Sequence, residues 1–536
     1  MMVSSVFCLL LSSLFLCLPF QISSVSLLGW IAWTPVLTLF GCSSQSLLFK
    51  NTFCWFLRGW TIGCLWYGSL FYWLPETLYI KAGLSVFRTA LFSLGTVGLL
   101  ACFPALVLLL CSLLQHVKFS PYLSFPILFT VQEGLLEYVP FGGVPWATMA
   151  ASQSLGKWGL WVVSHFGGLG LTFLMTAVAA SLASLLVNFR IIFFVSLRTK
   201  GETSFLILVL VTSILGAFIL SYPTQLFTEN QNTGHNNRSS KNVPVLLVPN
   251  DVSIGNLNNP GMLRNILQNY LRNSVNQALV DKVSLVIWPE NAYPGIIERG
   301  KNLVTLFHAF SKAKADLILG SNGQKSTVSG QQSQAKVTPQ YFNSAYLVYH
   351  QYFEFERYDK RQLVPFAEYV PAGWKRLIPH SILPQVPDYA RGSKTGIFHW
   401  KETPFGIFIC FETIFSRMIR ASVQEGSQFL VGISNGQWLN RWAAQHQLRL
   451  ATLRAVEAGR DIILVGNGGK TAHIQVDSTE IRVQQIDKPT TVLVKPKSCQ
   501  NWYVLYGIWP CFGLMGGYFS IFLLFQFCTR RNHTIQ

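Results

Sequence analysis

The sequence predicts a membrane-anchored α/β protein: a bundle of about eight apolar helices carrying one α/β domain between the seventh helix and the last. Three observations predict it. First, the 536-residue chain is 50% hydrophobic and only 12% charged, with a mean hydropathy of +0.36, whereas a soluble domain carries about 25% charged residues. Second, the apolar residues are concentrated in 1–222 and again in 503–527. Third, the block between them alternates strand-like and helix-like runs, as a sheet covered by helices does. The expected organisation is a bundle over 1–222, one domain over 223–502, and a final span and tail over 503–536.

Val3 to Phe20 lacks the basic start and small-residue cleavage site of a signal peptide, so it reads as a retained span. Further spans fall at 26–41, 54–74, 88–114, 120–138, 158–187 and 204–222, with the last at 503–527. Each is near or above the ~20 residues a bilayer requires. Basic residues set the orientation. Arg190, Arg198 and Lys200 lie between the sixth and seventh spans, Arg530 and Arg531 follow the last, and Lys50 and Lys118 share that face. The opposite loops hold only Lys81, Arg88 and Lys157. The positive-inside rule places the richer face in the cytoplasm and the polar block outside it.

Two acidic residues, Glu133 and Glu137, interrupt the membrane part just before Pro140-Phe141-Gly142-Gly143-Val144-Pro145-Trp146. Carboxylates near a span are costly and often functional. The Gly/Pro-rich run after them reads either as a segment dipping into the bilayer surface or as a plain interfacial loop.

The formal charge of +18 points to anionic lipid headgroups rather than nucleic acid as the partner of so apolar a chain. There is no zinc-type cysteine spacing, P-loop or dinucleotide fingerprint, so no metal or cofactor is expected. Of the 11 cysteines, only Cys410 and Cys499 lie in the polar block, which therefore carries no disulfide framework.

Residues 223–241 form a polar linker. After it, 243–248, 283–288, 316–320, 344–349 and 461–465 read as strands, and 263–280, 303–313 and 442–459 as helices. Three reactive residues sit near the ends of such runs, where α/β folds place their chemistry. Cys410 ends the apolar run Phe405-Gly406-Ile407-Phe408-Ile409; at a strand-to-helix elbow, the helix dipole favours its thiolate. The bland alternative is a buried structural cysteine. Glu290, in Trp288-Pro289-Glu290, reads as a general base or as a solvated turn residue. Lys360 reads as a donor to a developing oxyanion or as a surface lysine. Together the three suit acyl transfer. Glu takes the thiol proton, the thiolate attacks a carbonyl, and Lys stabilises the tetrahedral intermediate.

Trp288-Pro289-Glu290, Asp359-Lys360 with Pro365-Phe366-Ala367-Glu368, and Cys410-Phe411-Glu412 resemble the Glu-Lys-Cys triad of the nitrilase superfamily. Ser434-Asn435-Gly436-Gln437-Trp438 and Arg454-Ala455-Val456-Glu457-Ala458-Gly459-Arg460 continue the likeness. With spans before and after the domain, nearly the whole chain is similar to the apolipoprotein N-acyltransferases. The resemblance implies an α-β-β-α sandwich in a multi-pass inner-membrane protein, with its catalytic domain on the periplasmic side. It also implies a ping-pong transfer of a fatty acyl chain, from a phospholipid through a Cys410 thioester to the α-amino group of a diacylglyceryl-apolipoprotein. Glu290 is then the base and Lys360 the oxyanion stabiliser. Glu368 is a second acid near the lysine, and Glu412 and Trp438 line the site or its mouth. The chain departs from the family pattern at Ala367, Phe411, Gly436 and the loose turn Gly466-Asn467-Gly468-Gly469. Two other readings are a membrane-anchored amidase using the same triad with water, and a catalytically inactive lipid-binding membrane protein. The large apolar anchor argues against the amidase, and the complete triad against the inactive protein.

Overall fold

Apolar runs too long for strands, punctuated by Gly, Pro and Ser, lay out the amino-terminal helices. A computed structural model describes residues 2–41, 48–194, 242–257, 259–298, 301–329, 336–377, 387–477 and 480–533. The expected span 204–222 and linker 223–241 lie outside them. The helices are α1 (Met2–Gln21), α2 (Thr34–Gly41), α3 (Leu48–Leu70), α4 (Val86–His116), α5 (Pro121–Leu135) and α6 (Lys157–Phe194). The expected span 26–41 is split. Ser23–Trp30 is a 3₁₀ helix, and α2 starts afresh with Pro35 in its first turn, where a missing N–H costs little. Among the described residues, three helical stretches are both long and apolar enough to cross a bilayer: Ser23–Gly41, in its two pieces, Val86–His116 and Lys157–Val187. Aromatic side chains fill the bundle; the Trp33 ring lies 5.2 Å from Phe125 and 5.1 Å from Phe129.

The polar block builds two sheets. In the first, β1 (Val243–Leu247), β2 (Leu285–Ile287), β4 (Asp316–Ser329), β5 (Lys336–Val348) and β6 (Phe355–Asp359) follow β13 (Thr490–Val494) in the order β13-β1-β2-β4-β5-β6; β3 (Tyr293–Ile296) lies on β4. The second has the order β12-β11-β10-β9-β8-β7, from β7 (Ile397–Phe398), β8 (Phe405–Ile409), β9 (Leu430–Ser434), β10 (Ile462–Gly466), β11 (Thr471–Val476) and β12 (Ile481–Ile486). Strands β1, β2 and β4 run parallel, as do β8, β9 and β10. The strand pleat sends alternate residues to opposite faces. Val245, Leu247, Leu285 and Ile287 thus meet Ile407, Ile409, Ile433 and Val465 between the sheets. Leu246, Val286 and Leu317 face outward under α7 (Leu263–Val280) and α8 (Lys301–Ala313).

On the outer face of the second sheet, Phe408, Leu430, Ile462 and Leu464 join α10 (Ser416–Gln424) and α11 (Arg441–Ala458); the short α9 (Ala372–Leu377) precedes them. This helix layer does not face water. It packs on the bundle in one continuous core that includes Trp33, Trp66 and Trp146. Helix α11 is accordingly buried almost all round and rich in alanine, which lets it lie close to a sheet on one side and membrane helices on the other. Asn440 caps its start, accepting from the Ala443 N–H at 2.9 Å, and Gly459 in the left-handed region ends it. Burying one Leu or Ile side chain in such a core contributes about 1.5–3 kcal/mol. Helices α12 (Trp502–Tyr506) and α13 (Trp509–His533) return the chain to the bundle, where Tyr518 meets Phe173.

Candidate active site

Strand β8 is buried along its whole length and stops at Cys410, whose φ of +52° is a strained backbone state for a residue with a side chain. The strain turns the chain sharply out of the sheet. The Cys410 carbonyl is pinned by the Thr413 hydroxyl at 2.8 Å and by Nε2 of Gln447 at 3.3 Å. The chain then makes a 3₁₀ turn, Cys410–Ile414, and α10 starts only at Ser416. This corrects the expectation of a dipole-activated thiolate. Burial pushes the Cys410 thiol well up, Glu290 adds to the rise, and Lys360 and the Asn435 N–H offset part of it. The resting group is a thiol that needs a base.

Glu290 follows β2 and is buried. Oε2 accepts from the Asn435 N–H at 2.6 Å and Oε1 from the Asn343 amide at 2.7 Å. Glu290 and Lys360 both act on the Cys410 thiol, the first raising and the second lowering its pKa, so the three groups share one buried site. Lys360, at the end of β6, is 1% exposed; its Nζ lies 3.0 Å from Glu368 and 3.8 Å from Glu290. Burial alone lowers the ammonium's affinity for its proton. Glu368 and Glu290 outweigh that and hold Lys360 protonated. Burial pushes the Glu290 carboxyl above its usual range, and Lys360 only partly counters it. Asn343 bridges the two acids, donating to Glu368 at 2.8 Å, and the Val364 N–H holds the other Glu368 oxygen at 2.8 Å. The three triad positions therefore converge, and neither Glu290 nor Lys360 is a surface residue.

Glu412 is fully buried rather than at the mouth. It accepts the N–H groups of Arg361 at 2.7 Å, Gln362 at 3.0 Å and Ile409 at 2.9 Å, and the Tyr358 hydroxyl at 2.8 Å. It ties the end of β8 to the segment just past Lys360. Trp438 is 39% exposed, and its carbonyl accepts from Thr77 of the membrane part at 2.8 Å. Phe411 packs edge-on against Phe415 at 5.1 Å, so its ring has an apolar place with no need of a hydroxyl. Gly436 and the loose turn are one departure, because a Cβ on Gly436 would stand 2.5 Å from Cα of Gly469. Gly469 can take that position because its φ is +66°.

Asn343 carries no signal of its own in the sequence. Its partners come from β2 and from the loop beyond β6, and the nearest linear hint is the polar pair Asn343-Ser344 opening an apolar run. Among the described residues, no group of three or more His, Cys, Asp or Glu stands ready to hold a metal ion.

Residues 12–182 match the model of the apolipoprotein N-acyltransferase N-terminal domain, and 261–481 that of carbon-nitrogen hydrolases. The chain belongs to the apolipoprotein N-acyltransferase family. Among relatives, the apolipoprotein N-acyltransferase of Geobacter metallireducens is 26% identical over 87% of this chain and 84% of that protein. The one from Haemophilus influenzae is 24% identical over 95% of this chain and 92% of its own. In family terms, the amino-terminal helices and the two-sheet domain are one enzyme.

Proposed function

We propose that this chain transfers a fatty acyl chain from a membrane phospholipid to the N-terminal α-amino group of diacylglyceryl-apolipoproteins, with Cys410 carrying the chain as a thioester. The observation that carries the reading is the buried pairing of the Glu290 carboxylate with the Lys360 ammonium at 3.8 Å, beside the strained turn that presents Cys410. Glu290, made more basic by burial, takes the Cys410 proton as Sγ attacks the ester carbonyl. Lys360, kept charged by Glu368, donates to the oxyanion. Collapse breaks the C–O bond, and Glu290 returns the proton to the departing lysophospholipid. In the second half, the acceptor amine loses its proton to Glu290 and attacks the thioester. The thiolate leaves and is reprotonated. Asn343 and Glu412 hold this geometry without touching substrate.

A lipid donor fits the surroundings. Phe366, in the segment that bears Glu368, touches Phe92 of α4 at 5.5 Å and Phe141 of the membrane loop at 5.5 Å. Along α4, the exposed Val86, Phe87 and Leu94 are suited to acyl chains. The proposal includes about eight spans, seven before the domain at 223–502 and one after it, with that domain outside the cytoplasm at the face of the inner membrane. Mass spectrometry after incubating the purified protein with phospholipid tests it. An acyl adduct on Cys410 is expected, with none on C410A. Acyl-thioester trapped on C410A sinks the mechanism.

A further inference from the structure

Glu137, one of the two acids that interrupt the membrane part, has no task in this chemistry. Its Oε1 accepts the Ser416 N–H at 2.8 Å and its Oε2 the Arg417 N–H at 3.1 Å. These are the first two amides of α10. The residue before them, Phe415, has no group able to cap a helix. The helix after the Cys410 turn is thus capped by a carboxylate from a loop 279 residues earlier in the chain. That carboxylate faces the positive end of the helix dipole.

Arg417 extends the contact. Its Nε donates to the Glu137 carbonyl at 3.2 Å, and its Nη2 donates to the Gly142 carbonyl at 3.2 Å and to Oε1 of Gln362 at 3.1 Å. The rings of Tyr138 and Phe415 flank the guanidinium at 5.1 and 5.3 Å. Gln362 is two residues from Lys360, and its N–H binds Glu412, which also holds the N–H just before Cys410. The loop is itself braced, with the Val144 N–H donating to the Leu136 carbonyl at 2.7 Å and the Gly143 N–H to the Pro140 carbonyl at 2.8 Å. A stiff loop of the membrane part therefore grips both the helix after Cys410 and the segment after Lys360.

We propose that Glu137 and Arg417 are positioning residues, through which the 137–143 loop sets the approach of Cys410 to Lys360 and Glu290. This rests on the reading of those three as the reacting groups. Docking of the membrane loop then acts on the rate of acyl-enzyme formation and not only on the joining of the two parts.

The full-length protein in phospholipid–detergent micelles, with E137Q and R417K, tests this. R420K is the control. Arg420 lies on the same helix but bonds the carbonyls of Tyr503, Val504 and Leu505 and not the loop. Three rates or constants are read together with the melting temperature: single-turnover acylation at saturating phospholipid, its half-saturating concentration, and alkylation of Cys410 by iodoacetamide. E137Q and R417K are expected to slow acylation about tenfold or more and to change alkylation at least about threefold. Half-saturation should stay near wild type. E137Q should lower the melting temperature, because Glu137 also pairs with buried Arg454 at 3.4 Å. R417K keeps that pair and should separate the loss of rate from a loss of stability, and R420K should leave both rates within about twofold. Wild-type alkylation and acylation in both variants, or an equal loss in R420K, overturns the proposal. Absence of an acyl adduct on the wild-type Cys410 counts against the catalytic reading instead, and the alkylation rates still decide this one.

Discussion

Gly320 lies in β4 directly behind Glu290. A methyl on it would stand 2.5 Å from Cα of Glu290, 2.7 Å from the Asn291 nitrogen and 2.9 Å from the Pro289 oxygen. Ordinary contact begins at 3.4 Å, so the 289–291 turn must retreat by roughly 0.9 Å in G320A. All three obstacles are backbone, and β4 cannot yield because it is paired with β2 on one side and β5 on the other. The 2.6 Å bond to Asn435 and the 2.7 Å bond to Asn343 therefore lengthen past useful hydrogen-bonding distance. A displacement near 1 Å at a reacting group costs on the order of 10²-fold in rate. Stability moves less. Overpacking costs about 1–3 kcal/mol, and replacing a strand glycine returns about 0.5–1 kcal/mol. Single-turnover acylation of G320A, followed as the Cys410 adduct by mass spectrometry beside a melting curve, should show the rate falling far more than stability. Acylation within about threefold of wild type refutes the reasoning.

In the proposed mechanism Glu290 acts ionised, and burial raises its carboxyl, so the acid limb of acylation should lie above the ordinary carboxylate value of 4.5. N343A removes a bond that favours the charged form, so a kcat/KM–pH profile should shift its limb further up, and a downward shift contradicts the assignment. His446, enclosed by Phe20, Trp146 and Trp442, is pushed by burial from 6.5 down to about 4. The unfolded chain then binds the extra proton between those values. The His446 contribution to stability is constant above pH 6.5 and is lost as pH drops towards 4, by about 3 kcal/mol in all. H446F should flatten that slope in melting temperature against pH; an unchanged slope excludes His446 as its source. G436D should drive a side chain into Gly469 and cost about 1–3 kcal/mol, read as a lowered melting temperature, and full stability would mean that the turn yields.

Much of the molecule is legible in linear order. Helix 263–280 appears with the expected ends, and Glu290, Cys410 and Lys360 meet as their positions at strand ends imply. Local pattern carries such features because each depends on one run of residues and its terminus. The strands β11, β12 and β13 are not legible in this way. β12 is exposed at four of its six positions, Arg482 to Gln485, so its alternation is weak, and β13 owes its place to antiparallel pairing with β1. The elbow's chemistry runs opposite to its linear pattern. A cysteine before a helix suggests dipole activation, but the intervening 3₁₀ turn and the burial of the sulfur reverse the sign. Asn343 and Glu137 work through partners far along the chain, and no window of sequence contains both members of either contact.

The helix layer shared between sheet and bundle also orders the assembly of the molecule in time. The residues of α10 and α11 that meet the bundle are made after it, so their apolar partners in α1, α3, α5 and α6 precede them in the chain. The carboxyl-terminal α12 and α13 arrive last, with Tyr503 placing its hydroxyl 2.6 Å from that of Ser416 at the seam. Truncation before residue 502 should therefore leave a translated, membrane-inserted chain whose seam is open, a substrate for quality-control proteases and not a smaller enzyme.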